Sequence, residues 1–230
     1  MNQISSCIGL VLAGSLLMAC GSSSSSVQKT APTCNSPTDP SCRLAVDPPS
    51  VVRWVAPTTD AVAGGVSTAV VERTSDETCM SGKVDPGPSG SGWGAILIFQ
   101  LGQDDGGATQ RAPFDLNARG VAQVRFNLSN PPPTGILPQL VELTSADCTT
   151  APACLDSFGG PPAFTTAGSH TVALGDLVTA DAQQSNKVSD PTLSVALQFY
   201  VSPQPGKAFD YNFCIQDLQF LDAAGNEVSR

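Results

Sequence analysis

Six cysteines downstream of residue 30, namely Cys34, Cys42, Cys79, Cys148, Cys154 and Cys214, are the side chains best equipped for covalent chemistry. An even set with no C-x-x-C pair suits disulfides formed in an oxidising compartment. Six cysteines permit fifteen connectivities. Short turn-rich loops favour Cys34 with Cys42 and Cys148 with Cys154, which leaves Cys79 for Cys214 and ties the first strand of a domain starting near Thr78 to its last. Zinc would need more ligands than His170, the sole histidine, can complete. The same scarcity closes most routes to catalysis. There is no G-x-S-x-G elbow, no H-E-x-x-H and no phosphate-binding glycine loop. Asp104-Asp105 offers paired carboxylates of the kind glycosidases use, but it precedes Gly106-Gly107 in what reads as a hairpin turn, where both acids are solvated. His170 reads as a surface or turn residue of a strand from Ser169 to Leu174. The expectation is a protein that is not an enzyme.

Two cysteines stand apart from that set, Cys7 and Cys20. Ile8 to Ala19 is apolar apart from Gly14 and Ser15, too short for a permanent span but suited to the apolar region of an export signal. Leu17-Met18-Ala19-Cys20, followed by Gly21 and the tract Ser22 to Ser26, resembles a bacterial lipoprotein signal with its lipobox. The serine tract favours this over an ordinary secretory signal cleaved near Ala19, because a tethered domain needs flexible chain just outside the membrane. The resemblance implies lipidation of Cys20, a diacylglyceryl thioether plus an N-acyl chain, and Gly21 in place of Asp implies the outer membrane. Several buried acyl chains at about 0.8 kcal/mol per CH₂ would hold such a protein on the bilayer.

With residues 1–19 set aside as signal, the chain divides into a Ser/Pro-rich, disordered tether over 20–50 and a domain over 51–230 whose core runs from about 78 to 222. The 20 acidic residues outnumber the 11 basic ones for a formal net charge of -9, so a nucleic-acid partner is excluded and lipid is the only membrane contact. Gly and Pro are abundant, which favours an all-β domain with many turns. Val121 to Leu128 alternates, with Val124, Phe126 and Leu128 on one face and Gln123, Arg125 and Asn127 on the other. Cys79 to Val84, Trp93 to Leu101, Gln139 to Thr144, Ser169 to Leu174 and Leu193 to Ser202 read as further strands, and Leu174 to Asp181 as a turn or two of helix. Val51 to Val55 and Val62 to Glu72 read as a docking segment. In the last strand Phe213 and Ile215 share one parity and Leu218 and Phe220 the other, so a β-bulge is expected at Gln216-Asp217. Such strands predict two sheets packed face to face as a β-sandwich.

Trp93-Gly94-Ala95, Phe114-Asp115, the alternating Val121 to Leu128 and Phe213-Cys214-Ile215-Gln216-Asp217-Leu218-Gln219-Phe220 together resemble the galactose-binding-like jelly roll shared by many non-catalytic carbohydrate-binding modules, with comparable domains on lipoproteins of delta-proteobacterial type. The resemblance covers roughly Thr78 to Asp222 and implies a jelly roll with a glycan-binding face, Trp93 in a core position, and an aspartate of the last strand on a structural Ca²⁺. Asp217 matches that aspartate, with Glu77 or Asp85 as companions. Glycan binding needs an aromatic platform and planar polar groups, for which Tyr200, Gln198, Arg125, Asn127 and Glu142 are the candidates. The expectation is an outer-membrane lipoprotein displaying a carbohydrate-binding-like module, its partners the membrane through lipid and a polysaccharide. The alternative is a structural lipoprotein that docks a cell-envelope protein and binds no sugar.

Overall fold

Alternating apolar and polar residues bury one face of each strand, and here ten strands stack those faces against one another in two layers. The computed structural model describes residues 29–30, 44–45, 51–88, 90, 92–101, 103–104, 111–145, 155–160, 163–179 and 189–228. The export signal, Cys20, and the Cys34–Cys42 and Cys148–Cys154 pairs lie outside the described residues, as does Asp105.

The strands are β1 (Trp54–Thr59), β2 (Thr68–Arg73), β3 (Glu77–Val84), β4 (Ala95–Gln100), β5 (Gln123–Ser129), β6 (Leu137–Leu143), β7 (Leu155–Gly159), β8 (Gly168–Ala173), β9 (Ser194–Val201) and β10 (Phe209–Leu221). One sheet has the order β2-β3-β10-β5-β8 and the other β7-β6-β9-β4-β1, all pairs antiparallel. This is an all-β jelly-roll sandwich. The segment before Thr78, read from sequence as a docking segment, instead supplies β1 and β2, one strand to each sheet. Pro57 is tolerated in β1 because, among the described residues, only Trp54 and Val55 of that strand are paired to a further strand on the side away from β4. The strand β7 has no alternating apolar pattern to announce it. The helix expected from Leu174 is a single 3-10 turn, Leu174–Asp176.

Two pieces of the expected tether also pair. Lys29–Thr30 adds to β2, opposite Arg73 and Glu72, and Leu44–Ala45 adds to β1, opposite Val55 and Trp54. Leu44 joins the main core, which alternation alone does not forecast for so short an apolar stretch.

The core is Phe99, Phe126, Phe199 and Phe213 with Leu, Ile, Val and Met80 from both layers. Phe199 contacts Phe99 and Phe126 edge to face, with centroids 5.5 and 4.9 Å apart. Each such buried ring contributes on the order of 2–3 kcal/mol from burial. Cys79 and Cys214 are bonded, as expected. They sit directly opposite on β3 and β10, so the bond joins neighbouring strands of one sheet. Because two strands precede β3, the bond does not tie the domain's first strand to its last.

The bulge in β10 falls where parity required it. Gln216 faces Asn127 and Gln219 faces Arg125, so Asp217 and Leu218 together oppose Phe126. Asp217 takes φ 49°, the left-handed conformation that lets the strand insert one residue and resume with Phe220 inward. A β-branched residue cannot hold that conformation cheaply. We expect Asp217→Val to destabilise the fold by about 1–2 kcal/mol and Asp217→Gly by clearly less. Urea unfolding of both variants checks this, and equal losses would remove backbone conformation as the constraint.

Candidate functional site

Four of the five sugar-binding candidates divide between the two outer surfaces of the sandwich. Arg125 and Asn127 project from β5 on the outer face of the β2-β3-β10-β5-β8 sheet. There Arg125 donates from Nε and Nη2 to Gln219 Oε1 at 2.9 and 2.6 Å, and Asn127 Nδ2 donates to Asp217 Oδ2 at 2.7 Å. Gln216 Nε2 donates to Glu77 Oε2 at 2.8 Å. The planar groups thus form a row of cross-strand pairs that satisfy one another, and no aromatic side chain alternates onto this face among the described strands.

Gln198 and Tyr200 lie on the opposite surface, the outer face of the β7-β6-β9-β4-β1 sheet. Gln198 sits directly across from Gln139, and Tyr200 across from Leu137 and Ile96. Gly159 opposes Gln139 on its other side. A Cβ at Gly159 would lie 3.8 Å from Gln139 Nε2 and 3.5 Å from Leu137 Cδ2, and Gln139 itself is 7 % exposed. Bordering Gln198 on the same face, Ile98, Val141, Leu143, Val195 and Ala196 form a second apolar cluster, against which Trp54 and Ile96 pack.

Glu142 does not join either surface. Leu140 points into the core, so a residue two positions on shares its side. Glu142 is 2 % exposed and accepts from Ser189 Oγ and from Asp190 N at 2.7 Å, holding the turn that enters β9. Gln139, which has the opposite parity, was the legible choice on that strand. Trp93, implied as a core residue, is half-buried and belongs to neither apolar cluster.

Asp217 and Glu77 line one cleft of about 360 Å³, together with Asp76 and Glu227. Asp85, the other expected companion, lies past the far end of β3, beside Lys83 at 3.0 Å. There the backbone amide of Gly87 and the Lys83 ammonium hold its carboxyl below the usual range. Among the described residues, the one trio of His, Cys or acidic side chains within metal-ligand reach is Glu77 with Cys79 and Cys214. Those two sulfurs are committed to a disulfide and offer no thiolate.

The end of the sandwich nearest Tyr200 is organised by a buried carboxylate that sequence inspection did not single out. Asp60, 1 % exposed, accepts from Ser67 N and Ser67 Oγ, both at 2.9 Å, and from Gly94 N at 3.1 Å. Its own N–H donates to Gly94 O. Ser67 Oγ in turn accepts from Asp85 N. A Cβ at Gly65 or Gly92 would fall 2.3 or 2.6 Å from the Asp60 carboxylate, so the glycines are what allow two loops to close around it. Tyr200 Oη donates to Trp93 O in the same region. The only sequence signal was Asp60 among Gly64, Gly65, Gly92 and Gly94.

No protein-family model matches the chain, and no curated protein matches it. The fold is similar to solved carbohydrate-binding modules. The family 11 module from Clostridium thermocellum in complex with a β-1,3-1,4-mixed-linked tetrasaccharide aligns at TM-score 0.41 and 8% identity, covering 74% of this chain and 83% of that one. The family 11 module of the cellulosomal cellulase Lic26A-Cel5E of Clostridium thermocellum aligns at 0.38 and 9%, covering 71% and 79%. A CBM4 structure aligns at 0.36 and 8%, covering 76% and 90%.

Two outcomes are expected. Asp60→Ala should cost about 2–4 kcal/mol, because buried N–H groups of Ser67 and Gly94 lose their acceptor, while Asp60→Asn should cost less. Equal stability of wild type and Asp60→Ala in urea would show that the loops close without it. The chain has two tyrosines. Burial pushes both phenols above their usual range, and the Asp60 charge adds to the effect at Tyr200. Above about pH 10 the unfolded chain therefore loses phenolic protons that the folded chain keeps. Stability is then full below that pH and falls as pH rises. Phenolate absorbance should appear only with alkaline unfolding, and Tyr211→Phe should blunt the decline.

Proposed function

We propose that this protein is a non-catalytic outer-membrane lipoprotein, anchored through Cys20, whose jelly-roll domain recognises a polysaccharide on the outer face of the β7-β6-β9-β4-β1 sheet. The observation that most supports this is the direct pairing of Gln139 with Gln198, flanked by side-chain-free Gly159 and, one row along, by Tyr200. Two adjacent planar amides suit the vicinal hydroxyls of a sugar. A ring about 7 Å along the strand from them, two residues on, suits the apolar face of the same or the next sugar unit. Uncharged donors and acceptors also suit a neutral glycan better than an anionic one, which the net charge of -9 would repel. In this reading Arg125, Asn127 and Glu142 serve the fold.

A structural calcium ion at Asp217 belongs to the proposal as well. Asp217 and Glu77 line the same cleft, and its main-chain carbonyls would have to supply the remaining oxygens. A melting temperature that a chelator leaves unchanged removes the ion.

Affinity electrophoresis on soluble β-glucans and a glycan array test the ligand. Wild type should be retarded, Gln198→Ala and Tyr200→Ala should each lose at least tenfold in affinity, and Arg125→Ala should bind as wild type. A blank array with no retardation sinks the carbohydrate reading. Metabolic labelling with an alkynyl fatty acid tests the anchor, with Cys20→Ser expected to abolish both the label and outer-membrane fractionation.

A further inference from the structure

Each layer of the sandwich has two edges, and three of the four carry a two-residue strand: Lys29–Thr30 on β2, Leu44–Ala45 on β1 and Val178–Thr179 on β7. The fourth edge is β8, Gly168–Ala173, which pairs with β5 alone among the described residues. Leu174 N donates to Ala122 O at 2.9 Å, so His170 and Val172, which share its parity, bond to β5. Ser169 and Thr171 therefore aim their main-chain N–H and C=O groups away from the sheet, and no described residue meets those groups there. Both residues are exposed.

Native sheets guard such edges with charge, proline or a bulge, because open N–H and C=O groups template further pairing. β8 has none of these. Its register with β5 runs without a shift, and no Lys, Arg, Asp or Glu occurs between Asp156 and Asp176. Two copies of a chain with net charge -9 repel each other, and an uncharged edge is where they approach with least opposition.

The edge is also complementary to itself. The open groups of Ser169 and Thr171 lie symmetrically about His170. A twofold axis at that position, perpendicular to the sheet, sets Ser169 opposite Thr171 of a second copy and Thr171 opposite its Ser169. Each such pair exchanges two main-chain bonds, about four in all, and brings a serine and a threonine hydroxyl side by side, a favourable cross-strand pair. The His170 ring leaves the approach clear. It packs inward against Phe164 and Phe126, with centroids 4.3 and 5.7 Å away, and its Nε2 donates to Thr166 O at 2.9 Å.

We propose that β8 is a homodimer edge: two copies pair antiparallel through Ser169 and Thr171 and join their β2-β3-β10-β5-β8 layers into one continuous sheet. Every pair within that layer is already antiparallel, so the added ladder repeats its geometry. A contact of this size makes a weak dimer.

Sedimentation equilibrium of the full-length protein in density-matched detergent should show the mass rising from one chain toward two between micromolar and millimolar protein. Over the same range, amide hydrogen exchange should slow at least tenfold at Ser169 and Thr171, while His170 and Val172, bonded to β5 throughout, stay unchanged. Thr171→Pro removes an outward N–H from each copy and leaves the β5 ladder whole. It should weaken dimerisation at least tenfold and keep the wild-type melting curve. A single chain at every concentration overturns the proposal. So does a dimer in which Ser169 and Thr171 exchange as fast as in dilute protein, and so does undiminished dimerisation of folded Thr171→Pro. Should that variant unfold, the wild-type exchange rates decide.

Discussion

The inserted residue at Asp217–Leu218 is the constraint on which the β2-β3-β10-β5-β8 sheet depends. β10 is the longest strand and lies between β3 and β5, so its side-chain parity sets both the core and the outer face of that layer. Before the bulge Phe213 and Ile215 fill the core, and after it Phe220 does. Without the insertion one of those groups would face water, at a cost of several kcal/mol on the scale of about 25 cal/mol per Å². The same displacement brings Gln219 opposite Arg125 and leaves Asp217 within reach of Asn127. The polar row is thus a by-product of how the core is closed.

That linkage separates the two outer surfaces chemically. One carries charged and amide groups that saturate each other across strands, with a disulfide among them. The other carries an amide pair and a tyrosine bordered by an apolar cluster whose Ile98 lies directly opposite Gln198. Groups already paired must give up those bonds to bind a ligand.

Asp60 does for the loops what the bulge does for the sheet. A carboxylate held away from water is tolerated because main-chain amides and a hydroxyl from two loops converge on it. The cost of leaving it unpaired makes those loops close as a unit, and Trp93 and Tyr200 are positioned together as a result.

The sequence by itself determined the β class, most strand positions and the parity change in β10, and it favoured Cys79–Cys214 among the fifteen pairings that six cysteines permit. The first three follow from composition and local alternation, and local rules do not need to know which strands are neighbours. Only the tertiary structure decided that β1 and β2 belong to the sandwich, since their burial comes from opposite layers, and that the chain before them pairs with both edges. Only it decided that Arg125 and Asn127 stand back to back with Gln198 and Tyr200. Alternation says that a side chain points away from the core, but a sandwich has two such directions. Which of them a strand takes is set by the sheet it joins, and that choice is made by pairing across more than a hundred residues of chain, as between Cys79 and Cys214 at a separation of 135.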